Sequence, residues 1–192
     1  MPPVCYFRSR GPAIMSESGM AAIPSRDVTV ALDRVVRDWY GGATSSVARL
    51  PLVALGSAIE LVEADRIRRA REILNEYRAN SLLPFVPVVD CKGVQHLGIL
   101  VEKSENGLLI LDGTHRAYAA QQAGATYIGA TVITPHQSLP APSELVLLSS
   151  VREVSDGGEP KFLGQDVKLF RPASTWLVQW LDAIRSEIGR DE

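Results

Sequence analysis

Leu108-Leu109-Ile110-Leu111-Asp112-Gly113-Thr114-His115-Arg116-Ala117-Tyr118-Ala119-Ala120 changes character at its midpoint. Four apolar residues suit a short buried strand, and Asp112-Gly113 then forces a turn. From Thr114 the small residues Ala117, Ala119, Ala120 and Ala123 predict a helix to about Ala123, lying close to a sheet. Gly124 stops it where positive φ is easily adopted. Ala125 to Ile133 reads as the returning strand. A strand, a loop, a helix and a further strand in this order point to an α/β fold.

Upstream, Phe85–Val89, Val94–Val101 and Gly107–Leu111 read as strands. Gly93 and Asn106-Gly107 supply turns, the second of which joins a hairpin. Ala64–Arg78 reads as a helix with Ile67, Ala70, Ile73, Leu74 and Tyr77 on one face and Arg66, Arg68, Arg69, Arg71 and Glu72 on the rest. Val47–Leu55 is β-like, with Pro51 placing it at an edge or bulge. Asp27–Tyr40 reads as an earlier helix carrying Val28, Ala31, Leu32, Val35 and Trp39, stopped by Gly41-Gly42. Downstream, Glu144–Leu148 reads as a strand, residues 155–160 as a loop, and Ser174–Ile188 as a helix with Trp176, Leu177, Trp180, Leu181, Ile184 and Ile188 on its apolar side. Residues 1–24 show no sustained periodicity and read as a flexible leader. Residues 25–192 then form one compact mixed-sheet α/β domain with flanking helices and a helical C-terminal extension.

The composition narrows the function classes. Lys and Arg number 20 against 22 Asp and Glu, a formal charge of -2, which gives no general grip on nucleic acid. Two cysteines, Cys5 and Cys91, supply neither a disulfide framework nor a zinc spacing, and His96 and His136 stand apart from His115. The sequence has no run of 18 apolar residues and no basic segment followed by an apolar stretch at its start, so a cytoplasmic protein with no membrane partner is expected.

Chemistry concentrates at the strand-to-helix junction. Backbone N–H groups at the start of the helix, around Gly113, Thr114, His115 and Arg116, face an anion with the positive end of the helix dipole, and Arg116 adds a hydrogen-bonding fork. Asp112 is a hard-oxygen ligand for Mg²⁺ carried by phosphate. An alternative leaves Asp112 as a helix cap, with His115 and Arg116 facing solvent. No P-loop motif is present.

The segment Asp112-Gly113-Thr114-His115-Arg116, followed by Ala119, Ala120 and Gly124, resembles the Asp-Gly-His-His-Arg segment of the ParB/sulfiredoxin-like superfamily, most closely its free serine kinase branch. Thr114 stands where that branch has its first histidine. The partition-protein form, Gly-Glu-Arg-Arg-x-Arg-Ala, keeps only one of its three arginines here. The cysteine that sulfiredoxin chemistry requires is absent from Gly113-Thr114-His115-Arg116. A second likeness covers Pro51–Leu55, Ile59–Val62 and Asp65–Ile67, so that the resemblance spans about residues 47–133.

The resemblance implies a ParB-like core and a catalytic glutamate at Glu60, with Glu63 as the alternative, beside Asp112, His115 and Arg116. It implies ATP or ADP with Mg²⁺, CTP being a further option, and a small-molecule hydroxyl substrate such as serine. The expected function is therefore a small-molecule kinase. Three other readings stay open: a nucleotide or phosphometabolite sensor that controls assembly, a partition-like DNA-associated protein, and another biosynthetic enzyme on the same scaffold. A homodimer is also left open. The tryptophans of the last helix read as packing over the domain, with a surface for another protein as the alternative.

Overall fold

The computed structural model describes residues 19–90, 92–105, 107–140, 142, 144–155, 167 and 170–188. The strands are β1 (Ala21–Ala22), β2 (Ala43–Pro51), β3 (Leu55–Ser57), β4 (Leu61–Glu63), β5 (Val88–Val89), β6 (Gln95–His96), β7 (Ile99–Ser104), β8 (Gly107–Asp112), β9 (Tyr127–Pro135), β10 (Val146–Leu147) and β11 (Arg152–Val154). The helices are α1 (Ser25–Tyr40), α2 (Ala64–Ala79), α3 (Thr114–Gln122) and α4 (Ala173–Ile188). Cys5, Cys91, Asn106 and the loop residues 156–160 lie outside the described residues.

Six strands form a mixed sheet in the order β10-β3-β8-β7-β9-β2. β3 runs parallel to β8, with Ser57 opposite Ile110, and β7 runs parallel to β9. β8 and β7 form an antiparallel hairpin with a register shift between Leu100 and Val101. Side chains alternate across this sheet because successive residues of a strand point to opposite faces. Ile99, Val101, Ile110, Ile128, Ala130 and Val132 pack toward α2 and α3. Leu100 and Ile133 pack toward α1 and α4. Helices on both faces leave the central strands dry, which explains their continuous apolar runs.

Each helix follows from its stripe. Ile67, Ala70, Leu74 and Tyr77 of α2 are buried, while its arginines stay outside. In α3 the small Ala117, Ala119 and Ala120 are fully buried, so the helix backbone lies close to the sheet. Trp176 and Trp180 of α4 are fully buried against α1, and the Trp180 indole N–H donates to the Val28 carbonyl at 2.8 Å. Each such ring removes about 150–250 Å² from water, worth roughly 4–6 kcal/mol before conformational entropy is counted. Among the described residues, no helix is long and apolar enough to cross a membrane.

Several boundaries differ from expectation. Met20, Ala21 and Ile23 are buried and β1 pairs with β5, so the packed fold takes in residues assigned to the leader; residues 1–18 lie outside the described ones. The Val47–Leu55 strand is two strands, β2 and β3, separated by a 3-10 turn at Leu52–Ala54. Phe85 has φ 58°, a left-handed conformation that a strand does not accept, and pairing begins only at Val88. Val94–Val101 breaks at Gly98, φ 71°, where an added Cβ would collide with the Phe85 carbonyl oxygen. Glu144–Leu148 shrinks to Val146–Leu147. Trp39, placed on the apolar face of α1, is 44% exposed and meets Trp176 edge to face.

Candidate functional site

The junction predicted from sequence lies at the carboxyl ends of the parallel neighbours β3 and β8, the usual location of ligands in open α/β sheets. β8 ends at Asp112, Gly113 turns the chain at φ 99°, and α3 starts at Thr114. The first N–H groups of any helix lack an intrahelical acceptor, and here no side-chain cap bond satisfies them. Asp112 is therefore not the cap that one alternative proposed. It forms an ion pair with Arg116, one turn along.

Gly113 makes that pair fit. A Cβ there would sit 3.1 Å from Ile99 Cγ1 and 3.2 Å from both Arg116 Nε and one of its terminal nitrogens. The Arg116 guanidinium thus folds back over the turn and adds positive charge where the helix dipole is already positive. Tyr118, two residues further along α3, is buried in the core shared with α2 and the sheet.

Thr114 and His115 turn toward the segment that follows β3. Thr114, 4% exposed, has its hydroxyl 3.3 Å from that of Ser57, the last residue of β3. Ser57 Oγ also receives the Ile59 N–H at 3.0 Å. His115 Nε2 accepts the Glu63 backbone N–H at 3.3 Å, just before α2 begins. With Nε2 as an acceptor, the proton of the neutral ring is on Nδ1. Burial first, then the Arg66 and Arg116 guanidiniums, hold the His115 imidazolium below its ordinary range, against the opposing pull of Glu63 and Asp112.

Glu60 lies between these two attachments, three residues from Ser57 and three from Glu63. Its carboxylate is 3.3 Å from Arg152, and its carbonyl accepts the Arg152 N–H at 2.9 Å as β11 starts its parallel pairing with β4. The Glu63 carboxylate is held by Arg66 at 2.6 Å. Of the sequence candidates, Thr114, His115 and the loop carrying Glu60 and Glu63 are thus tied together, and Asp112 pairs with Arg116 four residues along. Ser57 and Arg152 have no role in the sequence reading, and Arg66 appears there only on the charged face of α2. Ser57 carries a local signal, a hydroxyl two residues after the apolar run Leu52–Leu55, whereas Arg152 is 92 residues from Glu60 and carries none.

His96, elsewhere, lies 3.8 Å from Asp90. Among the described residues, no group of three or more His, Cys, Asp or Glu is placed to hold a metal ion.

No family model matches the chain. No curated protein matches it either. Among solved structures, protein Atu1540 from Agrobacterium tumefaciens is similar over 50% of this chain and 43% of its own, at 12% identity and a TM-score of 0.36. This chain thus spans less than half of that protein, and a likeness of this extent assigns neither fold family nor function.

Proposed function

We propose that this chain is a nucleotide-dependent phosphotransferase acting on the hydroxyl of serine or a related small metabolite, on a ParB/sulfiredoxin-like scaffold. One observation supports it above others: an uncapped helix start, crossed by the Arg116 guanidinium, is tied through Thr114 and His115 to the loop that carries Glu60.

In this reading the N–H groups of Thr114, His115 and Arg116 receive a phosphate of ATP or ADP, or of CTP, and the Arg116 fork offsets its charge. The donor set fits Mg²⁺ only as an ion brought with phosphate, with Asp112 as its single protein carboxylate. Such an ion, when bound, neutralises charge on the phosphate oxygens. Asp112 would be the residue to hold such an ion, and Arg116, its present partner, would then be available to the anion. Glu60 accepts the proton of the attacking hydroxyl, and its exposed partner Arg152 holds it only weakly, as surface ion pairs do.

The test is incubation with Mg²⁺ and ATP, ADP or CTP, with serine and other hydroxy amino acids as acceptors, read by mass spectrometry. A phosphorylated acceptor that disappears in Glu60→Gln supports the proposal. Absence of product across the panel, from folded protein, contradicts it. One observation favours a second reading, a nucleotide sensor: both Asp112 and Glu60 are already neutralised by arginines. Saturable nucleotide binding without product selects that reading.

A further inference from the structure

We propose that Thr114 and His115 are positioning residues: they fasten the segment 57–63 to the first turn of α3 and so hold Glu60 in register with the Asp112 loop. This inference rests on the phosphotransferase reading for its consequence, though not for its geometry. In the resemblance noted from sequence, the corresponding residues belong to the phosphate loop itself. The geometry here points elsewhere.

Two consecutive residues of α3 reach the two ends of one seven-residue segment. Thr114 meets Ser57 at its start, and His115 meets the Glu63 N–H at its end. Ser57 is fully buried and Thr114 nearly so, which keeps water from replacing their contact. The Ser57 hydroxyl is also engaged locally with Ile59 O at 3.1 Å and Ile59 N at 3.0 Å, so the Thr114 contact acts on an already ordered turn. The Glu63 N–H precedes α2, so the imidazole supplies an acceptor to a donor that the helix itself does not satisfy. Both contacts are long, and neither alone is a strong hydrogen bond. Their effect is geometric, because a segment pinned at both ends keeps its middle residue in place. On the far side, the Arg152 N–H to Glu60 O bond and the β4–β11 pairing hold the same segment. Glu60 is therefore confined from two directions.

This arrangement assigns His115 a neutral ring with its Nδ1 protonated and Nε2 facing Glu63. A ring that contacted phosphate as a cation would have no lone pair for that N–H.

The experiment is amide hydrogen exchange by NMR on the full chain, with imidazole ¹⁵N shifts at neutral pH, for the native protein, His115→Ala and His115→Gln. The native ring should show the Nδ1–H tautomer, and the Glu63 amide should be protected. His115→Ala should raise Glu63 exchange roughly two- to tenfold while amides in β7 and β9 stay unchanged, the size expected for one modest hydrogen bond. His115→Gln, whose side-chain oxygen can reach the Nε2 position, should restore most of the protection. Where phosphotransfer is observed, the alanine variant should lower kcat more than it raises KM, and glutamine should recover kcat.

An unprotected Glu63 amide in the native protein, an Nε2–H ring, or a glutamine variant no better than alanine overturns the proposal. Should the alanine variant fail to fold, the native ring tautomer and the glutamine-against-asparagine comparison decide it, since asparagine is too short to reach Glu63. A tether seen without any phosphotransfer overturns the phosphotransferase reading alone; phosphotransfer without the tether overturns this inference alone.

Discussion

Replacing Gly113 by alanine tests whether the turn is built around the Arg116 guanidinium. Two costs add. At φ 99° an L residue pays backbone strain of about 1–2 kcal/mol. The new methyl also meets Ile99 at 3.1 Å and the Arg116 guanidinium at 3.2 Å, tighter than ordinary contact, so the arginine must swing away from Asp112. Disrupting this part-buried ion pair adds roughly 1 kcal/mol. The sum, about 2–3 kcal/mol, corresponds to a fall in Tm of roughly 4–12 °C for a chain of this size. Gly124→Ala is the matched control: its φ is 78° and nothing lies within 4 Å of the added methyl, so it carries strain alone. Thermal unfolding followed by circular dichroism should rank Gly113→Ala below Gly124→Ala by at least about 1 kcal/mol. Equal losses would refute the close packing of the guanidinium over the turn.

Three further outcomes follow from named contacts. Arg171 and Glu102, 2% and 1% exposed, form a forked pair at 2.8 and 2.9 Å, and Tyr40 donates to Glu102 at 2.6 Å. Arg171→Met should therefore cost about 3–5 kcal/mol in urea unfolding, and the double change with Glu102→Leu markedly less than the two single changes together. His115 binds its proton less readily folded than unfolded, so its neutral form favours the fold: stability is full above the unfolded value near 6.5 and falls as pH drops through the lower folded value. His115→Gln should flatten that part of the stability-against-pH curve, and an unchanged slope would rule out His115 as its source. Trp180→Phe loses the N–H to Val28 O bond and leaves a void, so chemical denaturation should show a loss of about 1–3 kcal/mol.

The sequence carried the parts of the fold that depend on neighbouring residues. Leu108–Leu111 before Asp112-Gly113 reads as a strand ending in a turn, and the Ala-rich stretch to Gly124 reads as a helix, because periodicity and turn chemistry act within a few residues. The same holds for the stripe of α2 and the tryptophans of α4. What was hidden depends on distant partners. β4 and β11 exist because residues 61–63 meet residues 152–154, and neither triplet has a strong signal of its own. Gly98 breaks a strand because the Phe85 carbonyl occupies the space beside it. The buried network at Glu102 did leave a trace: a carboxylate directly after Ile99-Leu100-Val101 in a dry strand needs a cation, although only the fold identifies Arg171.

The candidate site divides in the same way. Arg116 is three residues from Gly113 and four from Asp112, so their contacts are local in sequence. The joining of Thr114 to Ser57 and of His115 to Glu63 depends on β3 lying beside β8, a parallel pairing that brings together segments more than 50 residues apart.

The proposed chemistry depends on a phosphate being received at the start of α3. The most direct measurement is a titration of the ¹⁵N-labelled protein with Mg²⁺ and ADP, followed at the amides of Thr114, His115 and Arg116. Saturable shifts concentrated at these three amides, weakened about tenfold or more in Arg116→Met, are predicted from loss of a charge-assisted contact. Shifts centred elsewhere, or none at millimolar nucleotide with the protein folded, would mean that the start of α3 does not receive the phosphate.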